Sequence, residues 1–282
     1  MSHPTTPEEV AAEALRLENA DDLEGAQRQL ELGVASHENS GGLWHNLGLI
    51  RSRNGDPEGA IEAYSRAIEL GYPSHVNRGV NYELLQLGAE AVSDYLAALA
   101  KEPDNLDALI DLGTLYVSQG EVESAERLLS RAAALDEKAN WQLADAYSLK
   151  GDPASARESL LRAIAAGESR AYLDLAELTA NSHDSSLAED YFLEAIRAGA
   201  VLARRQYAEY LDEIGKVDRG IEVALEGIRL GDGSCFQPLA VMLEETGDLP
   251  GALANYRLAV ADGDSELQEE VIRLESSMTR DD

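Results

Sequence analysis

The sequence contains one cysteine, Cys235, among 282 residues. No intrachain disulfide can therefore form, which fits a reducing compartment. Long apolar runs are also missing, because no stretch approaches the length of a membrane-spanning helix. Residues 1–10 contain neither the basic nor the apolar segment of a secretory signal. These absences predict a soluble, cytoplasmic protein.

Positive charge is scarce as well. The chain has 23 Lys and Arg residues against 53 Asp and Glu residues, which gives a formal net charge of -30 at pH 7. Such a chain repels nucleic acid and anionic membrane surfaces and favours partners with basic segments. An acidic surface also keeps a protein soluble without any role in binding, and composition leaves both interpretations open.

Residues 43–73 show how the chain is organised. The first part of this segment has residues at helical spacing, namely Trp44, Leu47, Gly48 and Ile50. Gly55, Asp56 and Pro57 then interrupt the run, and a second helical face follows with Ala60, Tyr64, Ala67 and Ile68. Two amphipathic helices joined by a short turn form an αα-hairpin. One hairpin cannot bury its own apolar faces, so it needs similar hairpins beside it.

Similar segments of 31 to 34 residues follow over 72–105, 106–136, 137–168, 169–200, 201–232 and 233–264. A small residue recurs in the first helix of each, at Gly48, Gly79, Gly113, Ala144, Ala176, Ala208 and Ala240. Another recurs in the second helix, at Ala60, Ala91, Ala125, Ala156, Ala188 and Ala252. Small side chains at fixed positions predict close helix contacts, because larger ones would push the helices apart.

This pattern resembles the tetratricopeptide repeat family, whose repeat has Trp, Leu-Gly and Tyr in the first helix and Ala, Phe and Pro in and after the second. The resemblance covers about residues 41–264. It implies an all-α fold, a right-handed superhelix of αα-hairpins. Later repeats turn on pairs such as Ala166-Gly167, and in that respect they resemble Sel-like helical repeats.

Four segments are expected along the chain: a flexible N-terminus (1–6), a degenerate capping repeat (7–40), seven repeats (41–264), and a C-terminal capping helix with a tail (265–282). Thr6 and Pro7 are suited to cap and open the first helix. The join from Asn181 to Ser186 lacks the turn glycine of the other repeats, which predicts a local weak point.

Motifs for metal binding, phosphate binding or catalysis are missing. None of the five histidines has a His-Glu-x-x-His or comparable spacing. His45 and His75 lie in neighbouring repeats, but two ligands favour a surface or groove role over a metal site. Cys235 has no histidine partner in the sequence and is expected to be a buried or half-buried thiol. We therefore expect no metal, no cofactor and no catalytic residue.

In the tetratricopeptide repeat family the first helices line a concave surface that binds extended peptides or helices. With the small residue of the first helix as position eight, that surface uses about positions two, five, nine, twelve and thirteen. In the first three full repeats these are His45, Leu49, Arg53, Val76, Val80, Ile110, Thr114 and Val117. The fourth repeat has Lys138, Trp141 and Asp145. Later repeats have Arg170, Glu177, Arg205, Glu209, Asp212, Glu213, Gln237, Glu244 and Glu245.

These positions change in polarity along the chain. The N-terminal half is apolar and ends near Trp141, whereas the C-terminal half is mostly acidic. The pattern favours a ligand with apolar anchors at one end and Arg or Lys at the other. Trp141 is the candidate hot spot, worth about 2 kcal/mol or more. Asn140 occupies the position that Trp44 fills in its own repeat, so a shift of one residue would place Trp141 in the core instead.

One ligand class can be compared residue by residue. Chaperone-tail members of the family bind a C-terminal carboxylate with basic and Asn residues. The matching positions here are His45, Leu49, Asn77, Asp107 and Asp111. Only Asn77 agrees, and two positions carry the opposite charge, which argues against a carboxylate clamp.

The sequence therefore predicts a non-catalytic scaffold or adaptor that binds a peptide or helix of another protein, with no nucleic-acid or membrane partner. Two alternatives stay open: a regulatory subunit of an enzyme, and a solenoid that self-associates. Catalysis would require a cluster of titratable groups in a shared pocket. Self-association would require an apolar end, whereas residues 265–282 are largely polar.

Overall fold

The computed structural model describes residues 6–182 and 184–279. Within those residues the chain forms α-helices, short 3-10 turns and no strand, so the all-α hairpin fold is confirmed. Most of the N-terminus expected to be flexible lies outside the described residues, as do His3, residues 280–282 of the tail, and His183 within the join expected to be weak.

The chain divides into two compact units, residues 1–159 and 160–282. The described part of unit 1 contains α1 (Pro7–Asn19), α2 (Leu23–Ser36), α3 (Gly41–Arg53), α4 (Pro57–Glu69), α5 (His75–Leu84), α6 (Gly88–Lys101), α7 (Leu106–Ser118), α8 (Val122–Leu135) and α9 (Asn140–Lys150). The division falls within α10 (Pro153–Ala165). Unit 2 contains α11 (Ala171–Ala180), α12 (Ser185–Arg197), α13 (Ala203–Glu213), α14 (Val217–Arg229), α15 (Phe236–Glu245), α16 (Leu249–Ala261) and α17 (Gln268–Met278). The partition into a capping repeat, seven repeats and a capping helix stays a prediction.

Local chemistry explains where the helices begin and turn. The Thr6 hydroxyl accepts a hydrogen bond from the Glu9 N–H, and the Glu9 carboxylate accepts one from the Thr6 N–H, so α1 begins with a capping box. Gly55, which follows α3, has a φ of +75°, a conformation that costs glycine little. Asp56 then accepts a hydrogen bond from the Gly59 N–H at 2.9 Å and caps α4.

The small residues lie at close helix contacts, as the repeats predict. A Cβ atom built on Gly48 would lie 2.6 Å from Cε1 of Tyr64 on the second helix of its hairpin. The corresponding distances are 2.7 Å from Gly79 to Tyr95 and 2.6 Å from Gly113 to Leu129. The alanines at the same position in later repeats are buried, namely Ala144, Ala176, Ala208 and Ala240. Side-chain volume at this position therefore sets the separation of the two helices.

The last helix covers the apolar surface of the hairpin before it. Val271 and Leu274 of α17 are buried and share a core with Tyr256 of α16, while Leu267 is partly buried beside them. Each fully buried aliphatic side chain stabilises the folded state by about 1.5–3 kcal/mol. The buried residues of α17 therefore lie against α16.

Gln86 is an exception among the hairpin turns, because it has a φ of +59° where Gly55 and Gly120 stand in neighbouring hairpins. An L-residue pays about 1–2 kcal/mol in this conformation. We expect Gln86→Gly to raise the free energy of unfolding by about 0.5–1 kcal/mol in a urea titration. The gain is smaller than the relieved strain, because glycine gives the unfolded chain more conformational entropy.

Gly120→Ala provides the reciprocal test, at the corresponding turn between α7 and α8. Gly120 has a φ of +77°, and an added Cβ would meet no atom within 4 Å, so backbone strain is its main cost. We expect a loss of about 1 kcal/mol. A lower stability for Gln86→Gly than for the wild type would show that the side chain of Gln86 outweighs the strain.

Candidate protein-binding surfaces

In unit 1, an apolar residue recurs at the same repeat position of three first helices. Leu15 of α1 is 55% exposed, and Val80 of α5 is 39% exposed. Leu49 of α3 is half-buried. All three occupy position nine when Ala14, Gly48 and Gly79 are aligned as position eight. We call Leu15, Leu49 and Val80 the apolar ladder.

A cavity of about 310 Å³ opens beside Leu15 and Leu49. Its walls are formed mostly by apolar side chains of α1 and α3, with the buried Leu30 of α2 among them. The space exists because α1 presents alanines here, namely Ala11, Ala12 and Ala14. The repeat pattern predicts a capping repeat at α1, so Leu15 is not among the predicted binding residues. Extending the position-nine alignment by one repeat would have found it.

The imidazole ring of His45 lies among aromatic rings. Its ring lies 4.9 Å from the Tyr72 ring and 5.6 Å from the Tyr64 ring. Nδ1 lies 2.9 Å from the Ser74 hydroxyl oxygen, and Ser74 is fully buried. Burial lowers the pKa of His45, so the neutral ring is favoured. His75, the other histidine of the pair, is buried.

The other predicted residues of unit 1 differ in exposure. Val76 and Ile110 are partly buried against the core of α5 to α8, and Val117 packs against that of α7 to α9. Thr114 and Asp145 are exposed. Arg53 is exposed and forms an ion pair with Glu18, which also lines the cavity.

Trp141 is half-buried, whereas Asn140 is 5% exposed and occupies the inner slot of α9. The Asn140 side chain donates a hydrogen bond to the Glu137 carbonyl at 2.8 Å. Trp44, at the slot corresponding to Asn140, is itself half-buried, and its indole donates to the Glu38 carbonyl at 3.0 Å. The alignment of the repeats at α9 and the role of Trp141 as a hot spot both stay predictions.

Asp111 of α7 is an unusual carboxyl group in unit 1. Burial, and then the charges of Glu83 and Asp107, raise its pKa to about 7. The Tyr95 hydroxyl donates a hydrogen bond to Glu83 beside it. Asp107 and Asp111 stand out in the sequence only as acidic residues, because their distance from Glu83 depends on how α5 packs against α7.

This carboxyl group makes stability depend on pH. The folded state binds a proton at Asp111 from about pH 4 to 7 that the unfolded chain releases, so stability falls as pH rises through that window. We expect Asp111→Asn to raise the free energy of unfolding by about 1–2 kcal/mol at pH 8 and by much less near pH 4. Glu90→Gln, on an exposed site of α6, is the control. Equal gains for Asp111→Asn at both pH values would contradict the shift.

In unit 2, an acidic pocket of about 300 Å³ lies between α11 and α13. Its lining consists of Glu177, Ala180, Asn181, Phe192, Gln206, Glu209, Tyr210 and Glu213. Three of these, Glu177, Glu209 and Glu213, were predicted from the sequence as binding residues. Phe192 of α12 is fully buried and was missed, because its position on a second helix excluded it.

The other predicted residues of unit 2 do not line this pocket. Glu244 is held by its neighbours, because it accepts hydrogen bonds from the Tyr256 hydroxyl at 3.4 Å and from Arg273 at 2.7 Å. Gln237 accepts a hydrogen bond from Arg205 at 2.7 Å. Asp212 is half-buried, and its Oδ1 has no hydrogen-bond partner in the described part of the chain. Glu245 is exposed.

Cys235 is fully buried in the core of unit 2. Burial, followed by the charge of Asp232, raises the pKa of its thiol to about 12, so the thiolate that a nucleophile needs is disfavoured. In the described residues, no group of three or more His, Cys, Asp or Glu side chains is arranged to hold a metal ion. The helices described are all too short or too polar to cross a membrane.

Models of the tetratricopeptide repeat match three segments of the chain. One model matches residues 88–146, and a second matches residues 42–70 and 137–166. None of the curated proteins matches the chain by sequence. The Sel-like character of the later repeats stays a prediction.

Solved structures with the same fold share little sequence with this chain. A tetratricopeptide repeat protein from Parabacteroides merdae is 17% identical over 95% of this chain and 98% of its own, with a TM-score of 0.59. A chain in the structure of the APC/C hetero-tetramer Cut9–Hcn1 is 16% identical over 74% of this chain and 43% of its own, with a TM-score of 0.62. PilF of Pseudomonas aeruginosa is 20% identical over 68% of this chain and 92% of its own, with a TM-score of 0.56. At these identities the similarity shows the fold alone.

Proposed function

Because this chain belongs to the tetratricopeptide repeat family, we propose that it is a non-catalytic scaffold that binds a segment of another protein through its first helices. The apolar ladder is the observation that carries the proposal. Leu15 and Val80 leave much of their apolar surface in water, and Leu49 lines an open cavity beside Leu15. Aligned apolar side chains that stay exposed on successive helices are typical of a binding surface.

The ladder suits apolar anchors of a partner segment. A cavity of about 310 Å³ can admit a single Leu, Met or Phe side chain, because each is smaller than this volume. Trp141 is a further proposed contact in unit 1. In unit 2, the acidic pocket suits basic residues of a partner, which adds specificity and speed of association more than affinity.

Protein binding also agrees with the chemistry of the candidate sites. The buried Cys235 is a poor nucleophile, and Asp111 has acidic neighbours rather than a nucleophile beside it. We therefore propose no enzymatic activity for the chain. The net charge of -30 argues against nucleic acid and anionic membranes as partners. A cytoplasmic location is part of the same proposal.

Selection of peptides from a random display library against the full chain tests the ladder. We expect enriched peptides to share one or two large apolar residues. They should lose affinity by about thirtyfold with Leu15→Gln/Leu49→Gln, since each of the two lost apolar contacts costs roughly 1 kcal/mol.

The matched control is Leu32→Gln/Leu96→Gln, which makes the same chemical change at exposed second-helix sites that are 67% and 50% exposed. We expect this control to bind the selected peptides as the wild type does. Peptides that bind the ladder variant and the control equally well would show that binding occurs elsewhere on the chain.

A further inference from the structure

The cavity between α1 and α3 has walls that are almost entirely apolar. Its lining includes Leu15 and alanines of α1, together with Leu49 and Ile50 of α3. Leu30 of α2, which is fully buried, lines it as well. Cavities lined by aliphatic side chains accept aromatic molecules, because such a guest fills space that water occupies poorly. The walls therefore suit a compact apolar group such as a ring.

Two polar residues lie in the same lining, and they differ in how far they are already paired. Glu18 forms an ion pair with Arg53, so its carboxylate has a partner. Asn46 of α3 is half-buried, and its side-chain amide makes no hydrogen bond within residues 6–182 and 184–279. That amide keeps contact with solvent rather than being sealed in the core. Asn46 is thus the polar group of the cavity that is left for a ligand.

The unpaired amide selects among the groups that could fill the cavity. A purely apolar side chain would take water away from Asn46 and leave its donors and its acceptor without partners, which is costly. An amide both donates and accepts hydrogen bonds, so a hydroxyl can replace the lost water in either direction. The best ligand is therefore an apolar body that ends in a hydroxyl group.

Among protein side chains, tyrosine meets both requirements. The hydroxyls of serine and threonine come without an apolar body that could fill about 310 Å³. The indole of tryptophan can only donate, whereas the tyrosine hydroxyl donates and accepts. Tyrosine also has only two rotatable side-chain bonds, so it loses little conformational entropy when it is buried.

We propose that this cavity receives one tyrosine side chain of the partner segment, with its ring against Leu15 and Leu49 and its hydroxyl on the Asn46 amide. The inference rests on the proposed function, since it names the anchor residue that the partner places beside the apolar ladder.

Nuclear magnetic resonance titrations of the ¹⁵N-labelled full chain test this assignment with isolated side-chain analogues. The probes are p-cresol for tyrosine, toluene for phenylalanine and 3-methylindole for tryptophan. We expect p-cresol to shift the amide signals of Ala12, Leu15 and Leu49 and to bind most tightly of the three. Toluene is more apolar than p-cresol, so tighter binding of p-cresol requires a hydrogen bond in the cavity.

Paired variants show whether Asn46 supplies that hydrogen bond. We expect Asn46→Leu to raise the ratio of the p-cresol Kd to the toluene Kd by about tenfold, because the hydroxyl then enters without a partner. Asn77→Leu makes the same change at the same repeat position of α5, where the residue is also half-buried, and should leave the ratio unchanged. Ala12→Leu places a larger side chain in the lining and should abolish binding of all three probes. Amide spectra of each variant report that the fold is kept.

Three results would overturn the assignment: a ratio unchanged by Asn46→Leu, an equal change with Asn77→Leu, or 3-methylindole as the tightest probe. The proposed function has a separate readout, the ladder-dependent peptides of the display selection. We expect those peptides to contain a tyrosine whose replacement by phenylalanine weakens binding to the wild type about tenfold, and to Asn46→Leu hardly at all. Peptides that need Leu15 and Leu49 but have a Leu or Met anchor and no tyrosine would uphold the scaffold and reject the tyrosine site.

Discussion

Arg78→Ala is expected to lower the free energy of unfolding by about 3–5 kcal/mol. Arg78 of α5 donates two hydrogen bonds of 2.7 Å to the Asp94 carboxylate on α6 and one of 2.8 Å to the Ser65 hydroxyl on α4. The Asp94 side chain is only 6% exposed. The truncation would leave this carboxylate buried and unpaired, which costs more than the pair contributes when intact.

Two variants show whether the unpaired charge is the cause. Arg66→Ala breaks the exposed pair with Glu69 on α4 and should cost less than about 0.5 kcal/mol. Arg78→Met/Asp94→Leu removes both charges and should recover most of the lost stability. Urea unfolding monitored by circular dichroism measures all three. A loss below about 1 kcal/mol for Arg78→Ala would contradict the argument.

Gly48→Ala is expected to cost about 2–3 kcal/mol, although alanine is the better helix former. The new Cβ would lie 2.6 to 2.8 Å from three atoms of the Tyr64 ring. Tyr64 is 1% exposed, so its ring has little room to move. The separation of α3 and α4 must then increase, and contacts along the whole hairpin weaken.

Gly42→Ala is the matched control, because it makes the same change in the same helix. Its Cβ would lie 3.5 Å from the nearest atom of Tyr72, which is ordinary van der Waals contact. We expect it to stabilise the protein by about 0.5–1 kcal/mol. A gain from Gly48→Ala as large as that from Gly42→Ala would show that the hairpin tolerates the extra methyl group.

The two glycines show which parts of the fold the repeats make predictable. Each hairpin repeats the same local solution, so a pattern such as Gly48 with Tyr64 recurs as Gly79 with Tyr95. Averaging over the repeats locates helices, turns and close contacts without any long-range information. The repeat pattern predicts nothing where one copy departs from the others. Gln86 is such a position, because it has the positive φ that glycine usually adopts at these turns.

The candidate surfaces were predictable in part. Glu177, Glu209 and Glu213 follow from repeat positions, because first helices stack in register. Gln206 and Phe192 do not follow from repeat positions. The lining of a pocket also depends on the sizes of neighbouring side chains and on residues outside the aligned positions. The raised pKa of Asp111 was not predictable, because it depends on how α5 packs against α7, and sequence periodicity carries no information about that packing.

The central claim is that partners bind the first helices of the hairpins. Photo-crosslinking of the full chain in its own cells tests it most directly, with a photoreactive amino acid at Leu49 of α3 or at Leu32 of α2. Both sites lie in unit 1, and Leu32 is 67% exposed. We expect a discrete adduct with another protein from Leu49 and none from Leu32. An adduct from Leu32 alone, or the same adduct from both sites, would contradict the claim.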